Sequence, residues 1–182
     1  HVPWVGIHNR NFNSDAQRGV YIALLFNVLG DGLALSLVHG TEFFFSIQSI
    51  RNRVAGCQKH IEISNPSFKK HPLRSLIPES KIYTCDNGSA VKFDTDSRPR
   101  KYMESNIVGK EIRGEWLTVD IEDDLKYLVK LYNDWTILNL PRDDEELYQN
   151  TLLNNVDLMI ETPGERASPK DLQPGAYAPI RS

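Results

Sequence analysis

Apolar residues recur along the first forty positions with the two-residue period of β-strands, and from Thr41 onward helical spacing replaces it. Residues 2–8 read as a short strand. Residues 19–27 are apolar on both faces, which predicts a central strand. Within it Tyr21, Ala23 and Leu25 share one face, while Val20, Ile22, Leu24 and Phe26 share the other. The second face is wholly apolar and predicts core. The first is in turn polar-tipped, small and apolar, and predicts a pocket wall rather than a packed interior. Asp31-Gly32 marks a hairpin turn. Beyond it Leu33, Leu35 and Leu37 alternate with Ala34, Ser36 and Val38, the pattern of a strand returning antiparallel.

From Thr41 to about Gln58 the apolar residues Phe44, Ile47, Ile50 and Val54 follow helical spacing. Glu42 falls in the first turn and Lys59 and His60 at the end, as the helix dipole favours. Residues 60–63 and 81–84 read as short strands, and 106–112 as another. Residues 64–80 and 85–101 read as loops, holding Pro66, Pro72, Pro78, Gly88 and Pro99. Ile121, Leu125, Leu128, Val129, Tyr132 and Trp135 line one helical stripe whose first turn carries Glu122, Asp123 and Asp124. After Pro141, Asp143–Glu146 open a second helix with Leu147, Leu152, Leu153 and Val156 inward. The predicted class is α+β: a mostly antiparallel curved sheet, a helix after the first hairpin, and two C-terminal amphipathic helices. Residues 1–162 form the domain; residues 163–182, rich in Pro, Gly and Ser, read as a linker or tail. A chain that opens without Met, directly on an apolar strand, reads as a piece of a longer protein.

Charge changes this picture more than composition does. With 182 residues, 40% hydrophobic and 25% charged, the chain suits one soluble globular domain, and no apolar run approaches a membrane span. The expected setting is cytoplasmic. The net charge of −3 hides an asymmetry: residues 1–50 sum to −1, 51–113 to +6 and 114–182 to −8. A cationic middle and an acidic end fit a surface that meets a polyanion on one side. The acidic helices then support the fold and do not meet that polyanion. Cys57 and Cys85 form no CxxC pair, so neither a disulfide framework nor a zinc site is expected, and no cofactor is called for.

Tyr102 follows Arg98, Arg100 and Lys101, so that ring is expected either exposed or folded onto something. Trp4, on the first strand, could stand beside the Tyr21 and Leu25 face. Aromatic faces among cations suit an unstacked nucleobase and its phosphates. As ordinary core aromatics, Trp4 and Tyr21 would fit the same pattern. Glu79-Ser80-Lys81, with Glu62 as a distant partner, matches half of a metal-dependent nuclease site and makes catalysis the first rival reading. An RNA- or protein-interaction module is the second. His60-Ile61-Glu62 lacks the Pro-Cys-x-x-Cys half of a nucleobase deaminase.

The strings "VPWVGI", "SDAQRGVYIALLF" and "GLALSLVHGTE", followed by "RKYMESNIVGKEI" and "IEDDLKYLVKLYNDW", resemble the N-terminal DNA-binding domain of McrB-type modification-dependent restriction proteins. The resemblance covers residues 2–41 and 98–135. It implies a recognition module without catalysis of its own, which binds double-stranded DNA containing 5-methylcytosine or a related modified cytosine and flips that base. Trp4 and Tyr102 would be the sandwiching rings, Tyr21 a wall, and Leu25 the contact at the ring edge that carries the 5-substituent. Arg10, Arg18, Arg98, Arg100, Lys101 and Lys110 would meet the DNA backbone. The wedge that fills the gap left by the flipped base would precede His1. No G-x-x-x-x-G-K-[ST] occurs in the chain, so a GTPase or nuclease effector, fused or associated, is expected elsewhere.

Overall fold

A computed structural model describes residues 3–9, 19–42, 44, 46–78, 82–85, 87–93, 97–139 and 158–161. In chain order these form β1 (Trp4–Asn9), β2 (Val20–Phe26), β3 (Gly32–His39), α1 (Ile47–Gln58), β4 (Ile82–Thr84), β5 (Ala90–Lys92), α2 (Arg98–Glu104), β6 (Asn106–Arg113), α3 (Glu122–Asn139) and β7 (Leu158–Glu161). The α+β class holds. Five strands make one antiparallel sheet in the order β6-β3-β2-β1-β7, and β4 and β5 form a separate hairpin. Strand β2 is central, as its apolarity on both faces predicts.

The sheet is buried on both sides. On one face Val20, Ile22, Leu35 and Leu37 pack with Ile50 and Val54 of α1 and with Leu128, Leu131 and Tyr132 of α3. On the other, Tyr21, Ala23, Leu25, Ala34 and Val38 pack with a separate apolar group. Burying each large aliphatic side chain contributes roughly 1.5–3 kcal/mol, so both layers hold the sheet in register. The stripe of α3 matches the sequence pattern, with Leu128, Tyr132 and Trp135 buried. The Asn9 backbone N–H donates to the Tyr132 hydroxyl at 3.0 Å, tying α3 to the end of β1.

Several local expectations are corrected. The first helix begins at Ile47, because the Ser46 hydroxyl accepts from Ser49 N–H and caps it; Glu42 lies before the helix. The β2–β3 turn is not a tight one at Asp31-Gly32. Gly30 takes the left-handed conformation (φ 76°), the Asn27 and Asp31 side chains bond to each other, and Gly32 already belongs to β3. Residues 60–63 form no strand. The region expected as loop holds β5 and the short helix α2. β7, absent from the sequence reading, pairs antiparallel with β1. The helix expected after Pro141 lies outside the described residues, as does the 163–182 tail.

A segment without periodicity closes the second face. Lys69 pairs with Gly109 through two backbone bonds of 2.8 and 2.9 Å. A β-carbon at Gly109 would stand 2.6 Å from Asn106 Oδ1 and 3.0 Å from Leu35 O, so only glycine admits this approach. The Asn106 amide donates to the Lys69 and His71 carbonyls. Downstream, Leu73 N–H donates to Met103 O and Val28 N–H to Leu76 O. Ser75 donates both its N–H and its hydroxyl to Glu111 of β6. Leu73, Leu76 and Ile77 are thereby laid over Tyr21 and Leu25.

Candidate nucleic-acid interface

The β1–β2 register sets Trp4 directly opposite Leu25, so both project from the same face as Tyr21. Tyr102 reaches that face from α2. Four residues drawn from three parts of the chain thus meet in one cluster, which Phe93 and Met103 also join. Gly6, one position further along that face, explains the posture of Trp4. A β-carbon there would lie 2.8 Å from Trp4 Cζ3 and 3.6 Å from Tyr21 Cδ2, so the benzo edge of the indole occupies the space that the missing side chain leaves beside Tyr21. The Trp4 and Tyr21 ring centroids are 6.4 Å apart with their planes at 56°. Gly6 and Ala23 are the small residues that make room for the large ring, and the Trp-x-Gly and Tyr-x-Ala-x-Leu spacings carry that signal in the sequence.

The expectation of an open pocket wall is corrected. Tyr21 is 4% exposed, Leu25 1%, Trp4 7% and Tyr102 9%, and Ala23 is fully buried. The face is packed because residues 73–77, Phe93 and Met103 cover it, a contact that local polarity does not report. The sequence leaves Tyr102 either exposed or folded onto something. It is folded, on a helix whose next turn makes Ser105 N–H and hydroxyl donate to the Tyr102 carbonyl.

The predicted backbone contacts divide. Arg98 faces Glu42 at 3.9 Å, Arg100 faces Glu104 at 3.7 Å, and Lys101 donates to the Phe44 carbonyl at 3.3 Å, all around α2 and close to Tyr102. Lys110 lies opposite Leu35 in β3, hence on the α3 face of the sheet, where it pairs with Asp124 at 2.5 Å. The structure therefore separates Lys110 from the other cations. Arg10 and Arg18 lie outside the described residues. So do Glu79 and Lys81 of the rival nuclease reading, whose Glu62 is exposed; among the described residues no group of His, Cys, Asp and Glu could hold a metal ion. Cys57 and Cys85 are free thiols, and burial pushes the Cys57 thiol up.

Beside the aromatic cluster lies a cleft of about 400 Å³ that the sequence reading missed. Arg51, Arg74, Arg100 and Arg113 line it with Glu104, and Ile77 and Met103 are shared between its wall and the aromatic cluster. The Glu104 carboxylate, 2% exposed, accepts from Arg51 Nε and Nη2 at 2.9 and 2.6 Å. These bonds fix the guanidinium and raise its pKa. Four arginines from positions 51, 74, 100 and 113 converge only through the fold, so no sequence window could show them together.

Among the described residues, no helix is long and apolar enough to cross a membrane. A family model described as the MrcB-like, N-terminal domain matches residues 1–137. No curated protein and no solved structure matches the chain.

Proposed function

The chain belongs to the family of MrcB-like N-terminal domains, and from that membership we propose that it is the DNA-recognition module of a modification-dependent restriction system. In this reading it binds double-stranded DNA and draws a modified cytosine, 5-methylcytosine or a relative, out of the duplex. The observation that carries the reading is the convergence of Trp4, Tyr21, Leu25 and Tyr102 in one cluster beside a cationic helix.

Trp4 and Tyr102 supply the faces for the extruded base, Tyr21 a wall, and Leu25 the apolar contact for a 5-substituent. A methyl group offers only shape and a small hydrophobic gain, so discrimination rests on how closely that end of the pocket fits. The rings are buried in one packed cluster, and base entry requires them to part. The energy comes from stacking, on the order of 1–3 kcal/mol per ring, and from phosphate contacts at Arg98, Arg100 and Lys101. Arg10 and Arg18 belong to the same proposed backbone contacts. The module has no catalytic step of its own; cleavage falls to a nuclease or GTPase effector, fused or associated, in a cytoplasmic defence against modified DNA.

The test is binding to matched duplexes bearing cytosine, 5-methylcytosine or 5-hydroxymethylcytosine. Because the rings are buried, Trp4→Leu and Tyr102→Leu keep apolar volume better than alanine, and thermal melts confirm folding. Preference for one modified duplex, reduced about 5- to 150-fold by each substitution, is expected from the stacking energy. Equal binding of wild type to all three duplexes would overturn the reading.

A further inference from the structure

We infer that the arginine cleft between α1, residues 72–78 and the end of β6 is a phosphodiester site, which grips the backbone of the DNA strand next to the extruded nucleotide. The inference takes its ligand from the function proposed above. Its support is independent of the aromatic cluster and comes from the cleft's own chemistry.

Four guanidinium groups face one carboxylate, leaving an excess of three positive charges around a cavity of about 400 Å³. That volume lies within the ~300–1,000 Å³ range of small-ligand sites. Glu104 does not cancel the excess. Its two oxygens are taken by Arg51, with Arg100 nearby at 3.7 Å, so it acts as a buried strut that holds two of the cations in place. Among the described residues, Arg74 and Arg113 make no ion pair, and both are exposed. Arg74 is positioned by the residue after it, since Ser75 is bonded to Glu111. Glu111 is thus engaged and does not line the cleft.

Planar guanidinium forks match phosphate oxygens bidentately, which compact ammonium groups do not. The location names the source of the phosphate. Met103 and Ile77 form the partition between this cleft and the aromatic cluster, and Tyr102 precedes Met103 on the same helix. A strand whose base enters one side of that partition brings its phosphate to the other. Contact there is sequence-independent and fixes register, while the aromatic cluster reads the base.

The experiment compares wild type with Arg74→Ala/Arg113→Ala and Arg74→Lys/Arg113→Lys, across a salt series, on duplexes with and without the modified cytosine. Both positions are exposed, so thermal midpoints should match wild type. The alanine pair is expected to weaken both duplexes equally, by about tenfold or more. It should also make the slope of log affinity against log salt shallower by about 1, the signature of one lost phosphate contact. The lysine pair should restore the slope and only part of the affinity. An unchanged slope with alanine would overturn the inference. So would a change in the ratio between the two duplexes, because the arginines would then serve base reading. Calorimetry with inorganic phosphate separates the other source: binding lost in the alanine pair, with DNA slopes unchanged, would give the cleft to a free anion and overturn it. Failure of the base-reading proposal shows separately, as equal wild-type affinity for both duplexes.

Discussion

Replacing Gly6 by alanine tests whether the posture of Trp4 is imposed from below. The added carbon would stand 2.8 Å from Trp4 Cζ3, 3.4 Å from Cε3 and 3.6 Å from Tyr21 Cδ2. Carbon pairs rest at about 3.5–4.0 Å, so the first distance is repulsive and the indole must lift. The ring cannot lift freely, since Trp4 is 7% exposed within a packed cluster. Overpacking of this kind costs about 1–3 kcal/mol. Removing a strand glycine returns roughly 0.5–1 kcal/mol of backbone entropy, which leaves a net loss of about 1 kcal/mol. For a chain of this size that lowers the thermal midpoint by about 2–4 °C. The decisive assay is a double-mutant cycle by chemical denaturation. In a Trp4→Leu background the ring is gone, and Gly6→Ala should become neutral or stabilising by about 0.5 kcal/mol. A coupling energy of about 1 kcal/mol or more between positions 4 and 6 is expected. Additivity within about 0.3 kcal/mol would refute the claim that glycine sets the ring's place.

Three further outcomes are expected, beside those given for the aromatic rings and the arginine cleft. Tyr132→Phe removes the hydroxyl that accepts from the Asn9 N–H and should cost about 0.5–1.5 kcal/mol in urea denaturation, the net worth of one hydrogen bond. In the native protein burial pushes the Tyr132 phenol up to about 12, with the Asn9 N–H opposing, so spectrophotometric titration should show an ionisation well above the ordinary value near 10 that Tyr132→Phe removes. His39 gives a pH dependence. Its pKa is lowered from 6.5, first by burial and also by Arg53, against the raising effect of its bond to the Gly40 carbonyl. Arg53 Nε donates to His39 Nε2 at 3.2 Å, which requires the neutral ring. Below pH 6.5 the unfolded chain takes up a proton that the folded chain resists. This contribution to stability is therefore full above 6.5 and declines as pH falls through the folded value. Urea midpoints measured from pH 7.5 down to 5 should fall more for wild type than for His39→Gln, and parallel curves would reject the assignment.

How far the site was legible shows best at Tyr21 and Tyr102. The alternation Tyr21, Ala23, Leu25 against Val20, Ile22, Leu24 assigns each side chain to the correct face, because strand geometry projects alternate residues to opposite sides whatever covers them. The mixed polarity of the first face predicts an open wall, and the structure covers it. Its cover comes from residues 73–77, which have no period, and from Met103 on a helix too short to show one. Tyr102 among cations pointed to the right neighbourhood, although local polarity suggested a loop where the chain makes a helical turn and buries the ring.

The sequence by itself determined the class, the central strand, the stripe of α3, and the shared face of Tyr21, Ala23 and Leu25; only the family resemblance joined Tyr102 to that face. Those features depend on local periodicity and residue chemistry, which a window of a few residues carries. The tertiary structure alone decided that the face is packed, that Lys110 points to α3, and that four arginines share a cleft. These are long-range facts. They depend on Gly109 admitting Lys69, on Asn106 and Met103 holding the cover in place, and on Glu104 gathering Arg51 and Arg100 across the gap between two helices. Contacts between positions tens of residues apart leave no periodic trace along the chain, so only the folded molecule displays them.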